Sequence, residues 1–143
     1  MSNYKAIDVA IFFIKKAMNG DISDLTPMKL QKLMFFAQSW YIRKLDSSLF
    51  GESFERWEYG PVIPSLYREF RKFRSRTITI SEPLPEMAIF NETDIQFLDK
   101  IIEIYGNFTG PQLSWMTHQP GTAWSLGVKG SVITNNELKI GKV

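Results

Sequence analysis

The sequence predicts a mainly α-helical protein: a single compact domain of about five to six helices with a small two- or three-stranded β-ribbon. Apolar residues recur every three or four positions through most of the chain, which is the spacing of one helix face. Prolines and glycines stand where these periodic segments begin and end. A chain of 143 residues, with 44% hydrophobic and 22% charged residues, is long enough to bury one core.

The first helix is predicted over residues 4–18. Gly20 follows it, in the position where glycine commonly ends a helix. Charged residues occupy the positions between the apolar ones, so one face is expected to be buried. That face comprises Ile7, Ala10, Ile11, Ile14 and Met18.

The second helix has the clearest start in the chain. Thr26 is placed to accept a hydrogen bond from an unpaired backbone N–H as the N-cap, and Pro27 follows at the first helical position. Leu25 is expected to pack on Leu30 as a hydrophobic staple. The helix is expected to end near Lys44.

The faces of this second helix are predicted from an apolar stripe with a period near 3.6. Lys29, Lys32 and Arg43 fall outside the stripe, and lysine is rarely fully buried. Lys29 and Lys32 are therefore expected to lie on a solvated surface. The stripe comprises Leu30, Leu33, Met34, Ala37, Trp40 and Tyr41.

The middle of the chain predicts the ribbon. Residues 54–59 alternate weakly as a short strand, and Gly60 with Pro61 forces a turn after it. Pro64 is placed to open a third helix. Residues 77–80 are rich in β-branched side chains and are expected to pair with residues 54–57. Prolines at positions 83 and 85 predict a linker.

The last third of the chain predicts two more helices and a tail. One begins near Asn91 or Thr93 and ends at Gly106. Thr109 is placed to cap a short helix whose second residue is Pro111. We therefore predict a helical domain over residues 1–127 and a tail, residues 128–143, packed loosely on it.

The positive charge of the protein is concentrated in residues 68–76. These nine residues include five basic residues and one acidic residue, whereas the whole chain has a net charge of only +2. A basic segment of this kind attracts nucleic acid or an acidic protein surface. The alternative is a solvated helix end, where cations also interact favourably with the helix dipole.

Several classes of function are disfavoured by the residues that are missing. The absence of cysteine excludes disulfides, thiolate catalysis and cysteine-ligated metals, and the single histidine, His118, excludes a histidine-rich metal site. No glycine-rich phosphate loop occurs. Ser114 and His118 have the spacing of a nucleophile and a base, but no third group or nucleophile elbow accompanies them. We expect no catalytic residue and no cofactor.

A membrane location is also disfavoured. The longest apolar run covers residues 9–14, which is far short of the ~20 residues of a membrane-spanning helix. The composition is typical of globular proteins. The sequence therefore predicts a cytoplasmic protein.

Three sequence blocks together resemble the Panacea domain, which occurs in SocA-type antitoxins and in phage-associated GepA-like proteins. The first is L-T-P-M-K-L-Q-K-L at residues 25–33, followed by F-F-A-Q at 35–38. The second is F-E-R-W-E-Y-G-P-V-I-P at residues 54–64, with Leu66 and Tyr67 after it. The third is L-S-W-M-T-H at residues 113–118, with Trp124 six residues later.

The resemblance covers about residues 4 to 127, with three departures from the family pattern. The family often has tyrosine at the position of Phe35 and alanine at the position of Arg56. It usually has proline at the position of Ala123. The changes at residues 35 and 123 keep bulk or turn character, whereas Arg56 places a charge where a small residue is expected.

The resemblance implies a non-enzymatic, protein-binding antitoxin of a toxin–antitoxin system. Such a protein neutralises its toxin by direct binding, or presents it to a ClpXP-type protease. The blocks are expected to be structural, and no catalytic residue is carried over. The motif residues concerned are Leu30, Leu33, Trp57, Tyr59, Gly60, Pro61, Val62, Thr117, His118 and Trp124.

Two hypotheses describe the partner and the residues that bind it. In the first, Lys29 and Lys32 with Arg68 and Arg71 surround a site for an acidic protein, the toxin. In the second, the protein is a nucleic-acid-binding regulator, and the basic helix near residues 68–76 contacts phosphates beside the ribbon. The two differ in salt dependence, which is steep for phosphate contacts.

Overall fold

The computed structural model describes residues 4–80 and 90–143, in which six α-helices are combined with one three-stranded antiparallel sheet. This architecture confirms the predicted fold class. The helices are α1 Ala6–Met18, α2 Pro27–Leu45, α3 Pro64–Phe70, α4 Glu92–Tyr105, α5 Gly110–Thr117 and α6 Asn135–Ile140. The strands are β1 Phe54–Trp57, β2 Gly60–Val62 and β3 Val132–Ile133, and short 3-10 helices cover Arg71–Phe73 and Trp124–Leu126.

Helix α2 lies at the centre of the fold. It contacts every other α-helix in the described part of the chain, and it also contacts β2. Most of its residues are buried, including positions on the side opposite the predicted stripe. A helix covered on all sides must bury its polar residues too, which decides where its lysines lie.

The local signals at the helix starts are confirmed. The side chain of Thr26 accepts a hydrogen bond from the backbone N–H of Lys29 at 3.2 Å, with Pro27 at the first helical position. Asn91 caps α4 and Thr109 caps α5 in the same way. These caps need only neighbouring residues, which is why the sequence predicts them well.

The sheet is built differently from the prediction. Strand β1 lies between β2 and β3, with Trp57 opposite Gly60 and Phe54 opposite Ile133. Residues 77–80, expected to pair with β1, form no strand. Because both edges of β1 are occupied, this segment instead donates the N–H of Ile78 to the carbonyl of Leu25 at 2.8 Å. The linker predicted around positions 83 and 85 lies outside the described residues.

Residues 128–143, expected to be a loose tail, form β3 and α6. Ile133 and Leu138 are buried in the core, and α6 packs on α2. Thr134 accepts a hydrogen bond from the N–H of Glu137, whose carboxylate accepts one from the N–H of Thr134. This reciprocal cap is the threonine-x-x-glutamate signal of a helix start, which the prediction did not use.

Candidate partner-binding site

The three sequence blocks meet at the turn between β1 and β2. From α2, the amide of Gln31 donates to the carbonyl of Ile63 at 3.1 Å and accepts from its N–H at 2.8 Å. From α5, the hydroxyl of Ser114 donates to the carbonyl of Tyr59 at 2.7 Å. The indole N–H of Trp124 donates to the carbonyl of Trp57 at 2.8 Å. The blocks, far apart in sequence, therefore build one structural unit.

His118 belongs to this unit as a packing and hydrogen-bonding residue. Its Nε2 lies 2.8 Å from the carbonyl oxygen of Glu58, and its Nδ1 lies 2.6 Å from the carbonyl oxygen of Ser114. The Ser114 hydroxyl is engaged by Tyr59 and is not bonded to the imidazole. The geometry gives no support to a serine nucleophile with a histidine base.

Gly60 is the point of closest packing in the turn. Its φ is +117°, a backbone conformation that side-chain-bearing residues rarely adopt. A Cβ atom there would lie 2.6 Å from Cε of Lys32 and 2.8 Å from the hydroxyl of Thr117. Only glycine meets both conditions at this position, where the turn packs against side chains from α2 and α5.

Lys32 is buried beneath the turn, so the solvated position predicted for it is wrong. It is only 1% exposed, and its Nζ donates to the carbonyl of Pro61 at 3.3 Å. Burial lowers the pKa of Lys32 to about 7, because the charged form loses its hydration. Among the residues that the structure describes, the carbonyl of Pro61 is the one hydrogen-bond partner of this buried amine.

Lys29 is also buried, at 1% exposure, and its predicted solvated position is likewise wrong. Its Nζ donates to the carbonyls of Ser23 and Gly106, both at 2.6 Å. Burial lowers the pKa of Lys29, and the charge of Asp24 opposes part of that shift. Lys29 thus ties the start of α2 to the preceding loop and to the end of α4.

A groove opens beside Lys32, between the start of α2, the β1–β2 turn and α3. Its volume is about 390 Å³. Tyr59 is 63% exposed and Tyr67 is 41% exposed, and the rings of Trp57 and Tyr67 meet edge to face at 4.8 Å. Two large aromatic side chains of the groove are thus partly exposed to solvent. The apolar walls include Trp57, Tyr59, Val62, Leu66, Tyr67 and Phe70.

Charged residues in and around the groove are mostly basic. Lys32, Arg74 and Glu58 line it, and Glu58 is paired with Lys129 at 3.7 Å. Arg68 and Arg71 are exposed on α3 and its 3-10 extension, but they do not line the groove. Of the four residues predicted to bind the partner, the structure places Lys32 in the groove, Arg68 and Arg71 outside it, and Lys29 beneath the helix start.

Arg56, the charged departure from the family pattern, is accommodated by the C-terminal segment. It is 2% exposed, and its guanidinium pairs with Glu137 at 2.7 Å. The segment predicted to be loose therefore supplies three of the five residues that bond to this buried charge. Besides that carboxylate, the guanidinium donates to the carbonyls of Ala123, Trp124 and Val132 and to the hydroxyl of Ser131.

Comparison with known proteins agrees with this unit of three blocks. Residues 30–125, more than half of the chain, match the family model described as "Antitoxin SocA-like, Panacea domain". The chain belongs to the SocA-like Panacea family. It is 27% identical over 131 residues to Antitoxin SocA of Caulobacter vibrioides (strain NA1000 / CB15N), covering 85% of this chain and 69% of that protein. No solved structure matches the chain.

Membership of an antitoxin family suggests a non-enzymatic role. Within residues 4–80 and 90–143, no cluster of three or more histidine, cysteine, aspartate or glutamate side chains is placed to hold a metal ion. No helix in those ranges is long and apolar enough to cross a membrane. The groove wall from α3 was not predicted from the sequence, because a helical pattern of aromatic residues does not show which of them stay exposed, as Tyr67 does.

Proposed function

We propose that this protein is the antitoxin of a toxin–antitoxin pair and neutralises a protein toxin by binding it directly. Membership of the SocA-like Panacea family supports an antitoxin role. The observation that carries the binding mode is the open groove, whose exposed tyrosines adjoin the turn on which all three family blocks converge. Aromatic side chains bury a large area with few rotatable bonds, which suits them to protein interfaces.

The basic residues outside the groove have a separate role in this proposal. Arg68 and Arg71 are exposed, and such charges mainly set the rate of encounter with an acidic partner and its salt dependence. Lys32 contributes from within the groove, while Lys29 holds the helix start that forms one wall. This arrangement replaces the shared solvated patch predicted from the sequence.

The experiment pairs the protein with the product of the adjacent reading frame. Induction of that product alone should stop growth, and co-expression of this protein should restore it and yield a co-purifying complex. Repeating the rescue in cells that lack ClpX separates the two routes. Rescue without ClpX supports neutralisation by binding, whereas loss of rescue supports presentation to a ClpXP-type protease. A toxic neighbour that this protein neither binds nor counteracts would contradict the proposal.

A second candidate function is nucleic-acid binding through residues 68–76. It is favoured by five basic residues on α3 and the segment after it, all exposed. Phosphate contacts make the logarithm of affinity fall linearly with the logarithm of salt concentration. Binding to a duplex oligonucleotide, measured over a salt series, should show this slope and lose part of it in Arg68→Gln with Arg71→Gln. The absence of duplex binding at low salt would eliminate this function.

A further inference from the structure

Building on the proposed function, we propose that the groove between α2, the β1–β2 turn and α3 binds an acidic segment of the partner protein. In this complex a carboxylate of that segment accepts hydrogen bonds from the Lys32 ammonium. A large apolar side chain next to the carboxylate packs against the aromatic walls formed by Trp57, Tyr59 and Tyr67.

The first argument is the hydrogen-bonding deficit of Lys32. An ammonium group has three N–H donors, and in the described part of the chain Lys32 uses one, on the carbonyl of Pro61. No carboxylate of residues 4–80 or 90–143 pairs with it, although its side chain is among the most deeply buried of those residues. A buried cation is costly unless it is paired, and an incoming carboxylate supplies the missing acceptors.

The second argument is the shape and chemistry of the groove. Tyr59 and Tyr67 remain exposed although Val62, Leu66 and Phe70 beside them are buried. The cavity of about 390 Å³ accommodates one or two side chains rather than a whole helix. A short segment that inserts an apolar and an acidic side chain fits both the walls and Lys32.

The third argument is charge complementarity. Arg74 lines the groove with Lys32, and four more basic residues, which do not line it, belong to the same segment as Arg74: Arg68, Arg71, Lys72 and Arg76. Three carboxylates on this segment or beside the groove walls oppose them: that of Glu69, that of Glu58, which is paired with Lys129, and that of Glu55, which accepts a hydrogen bond from the indole N–H of Trp57. The local excess of positive charge attracts an acidic segment and repels a basic one.

The basic residues could also bind a nucleic acid, but the apolar walls of the groove do not favour one. Protein–nucleic acid interfaces are polar, and their cations reach phosphates from exposed positions. Here Lys32, one of the two cations that line the groove, is buried beneath Gly60, and apolar side chains form most of the walls. A carboxylate on a side chain can reach this ammonium more readily than a phosphate of a bulky backbone.

The test titrates the full-length protein with three acetylated and amidated pentapeptides, followed by NMR. The acidic peptide is Glu-Leu-Asp-Phe-Glu, its neutral analogue is Gln-Leu-Asn-Phe-Gln, and its basic analogue is Lys-Leu-Lys-Phe-Lys. The acidic peptide should bind about tenfold more tightly than the neutral one and shift the signals of Tyr59, Gly60 and Tyr67. Equal affinities, shifts outside the groove, or no saturable binding at millimolar peptide would overturn the proposal.

Variants then assign the carboxylate contact. Lys32→Met should remove the preference for the acidic over the neutral peptide, while Lys100→Met, an exposed lysine on α4, should leave it unchanged. Tyr67→Ala should weaken both peptides alike. If Lys32→Met does not fold, the wild type decides: the preference should fall between pH 7 and 9, as Lys32 loses its proton, and a constant preference would overturn the proposal.

Two further outcomes separate the hypotheses. Tighter binding of a single-stranded oligonucleotide than of the acidic peptide at the same groove signals would overturn the acidic-segment proposal in favour of nucleic acid. If the wild type rescues growth from the toxin but the peptides fail, the antitoxin role stands and the groove assignment is wrong. If the peptides bind as expected but no toxin is counteracted, the groove assignment stands and the antitoxin role is wrong.

Discussion

Arg56 and Lys32 are both buried cations beside the β1–β2 hairpin, yet their surroundings differ. Arg56 lies opposite Pro61 in the sheet, and its guanidinium bonds to five different residues, including the carboxylate of Glu137. Lys32 donates to the carbonyl of Pro61 and pairs with no carboxylate in the described structure. One side of the hairpin thus holds a fully partnered charge, and the other holds a charge with unused donors.

This difference separates the structural side of the hairpin from its candidate functional side. A buried charge with all its donors bonded fixes the segments that supply its acceptors, here residues 123–137. A buried charge with unused donors destabilises the free protein. A ligand that accepts hydrogen bonds from those donors offsets this cost, which favours its binding. Substitutions of the two residues should therefore have different effects. Replacing Arg56 should lower the stability of the fold, whereas replacing Lys32 should change the pH dependence of stability or the binding of a ligand.

The largest effect is expected from Arg56→Met. It removes the donors of a buried network and leaves the carboxylate of Glu137 and three carbonyls without this partner. Removing one member of a buried ion pair costs about 3–5 kcal/mol, which lowers the melting temperature by roughly 10 °C or more. Thermal unfolding followed by circular dichroism measures it.

Lys129→Met is the control for Arg56→Met. The Lys129–Glu58 pair is exposed on both sides, and such pairs contribute about 0–1 kcal/mol. Its melting temperature should stay close to that of the wild type. If Arg56→Met melted no lower than Lys129→Met, the C-terminal segment would not depend on the Arg56 network.

Gly60→Val should have the next largest effect, a loss of about 2–4 kcal/mol. The valine meets two penalties, a left-handed backbone and a collision with Lys32 and Thr117. Gly20→Val is the matched control, because Gly20 also has a positive φ but no atom within 4 Å of its Cβ position. Denaturant midpoints should fall further for Gly60→Val. Equal midpoints would assign the whole effect to the backbone and none to packing on Lys32.

Lys32→Met should change the pH dependence of stability. The folded pKa of about 7 lies below the ordinary value of 10.5, so between these values the unfolded chain binds more protons and wild-type stability rises with pH. The gain between pH 7 and 9 should be about 2 kcal/mol or less. The variant should lack this gain and be the more stable protein at pH 7. Parallel curves for the two proteins over this range would show that Lys32 is not a destabilising buried cation.

The elements that the sequence predicted correctly depend on local chemistry. Thr26 with Pro27, Asn91, and Thr109 with Pro111 mark helix starts, because a cap joins residues three positions apart. The same kind of signal, at Thr134 and Glu137, was present but unused, and α6 was missed for that reason. These local signals were therefore sufficient to predict most of the fold class from the sequence.

The candidate site depends on contacts between distant residues, which periodicity does not report. The predicted stripe assumed that α2 has one buried face, but the other helices and the β1–β2 hairpin pack around it and bury Lys29 and Lys32 as well. The resemblance to the family marked the right residues around Gly60 without saying that Lys32 packs beneath it. Strand pairing of β1 with β3 likewise required residues about 77 positions apart to be placed together.

The smallest loss of stability is expected when a helix cap is removed on either side of the hairpin. Thr26→Ala removes the cap of α2 at the groove, and Thr134→Ala removes the cap of α6 beside the partner of Arg56. Each should cost about 1 kcal/mol, or roughly 3 °C in melting temperature, because one backbone N–H loses its acceptor.

The cost of Thr134→Ala should be smaller in the Arg56→Met background, because the Glu137 carboxylate bonds both to the N–H of Thr134 in the cap and to the guanidinium of Arg56. The cost of Thr26→Ala should be unchanged there. Double-mutant cycles by thermal unfolding measure both, and equal coupling of the two caps to Arg56 would show that the sides of the hairpin are not independent.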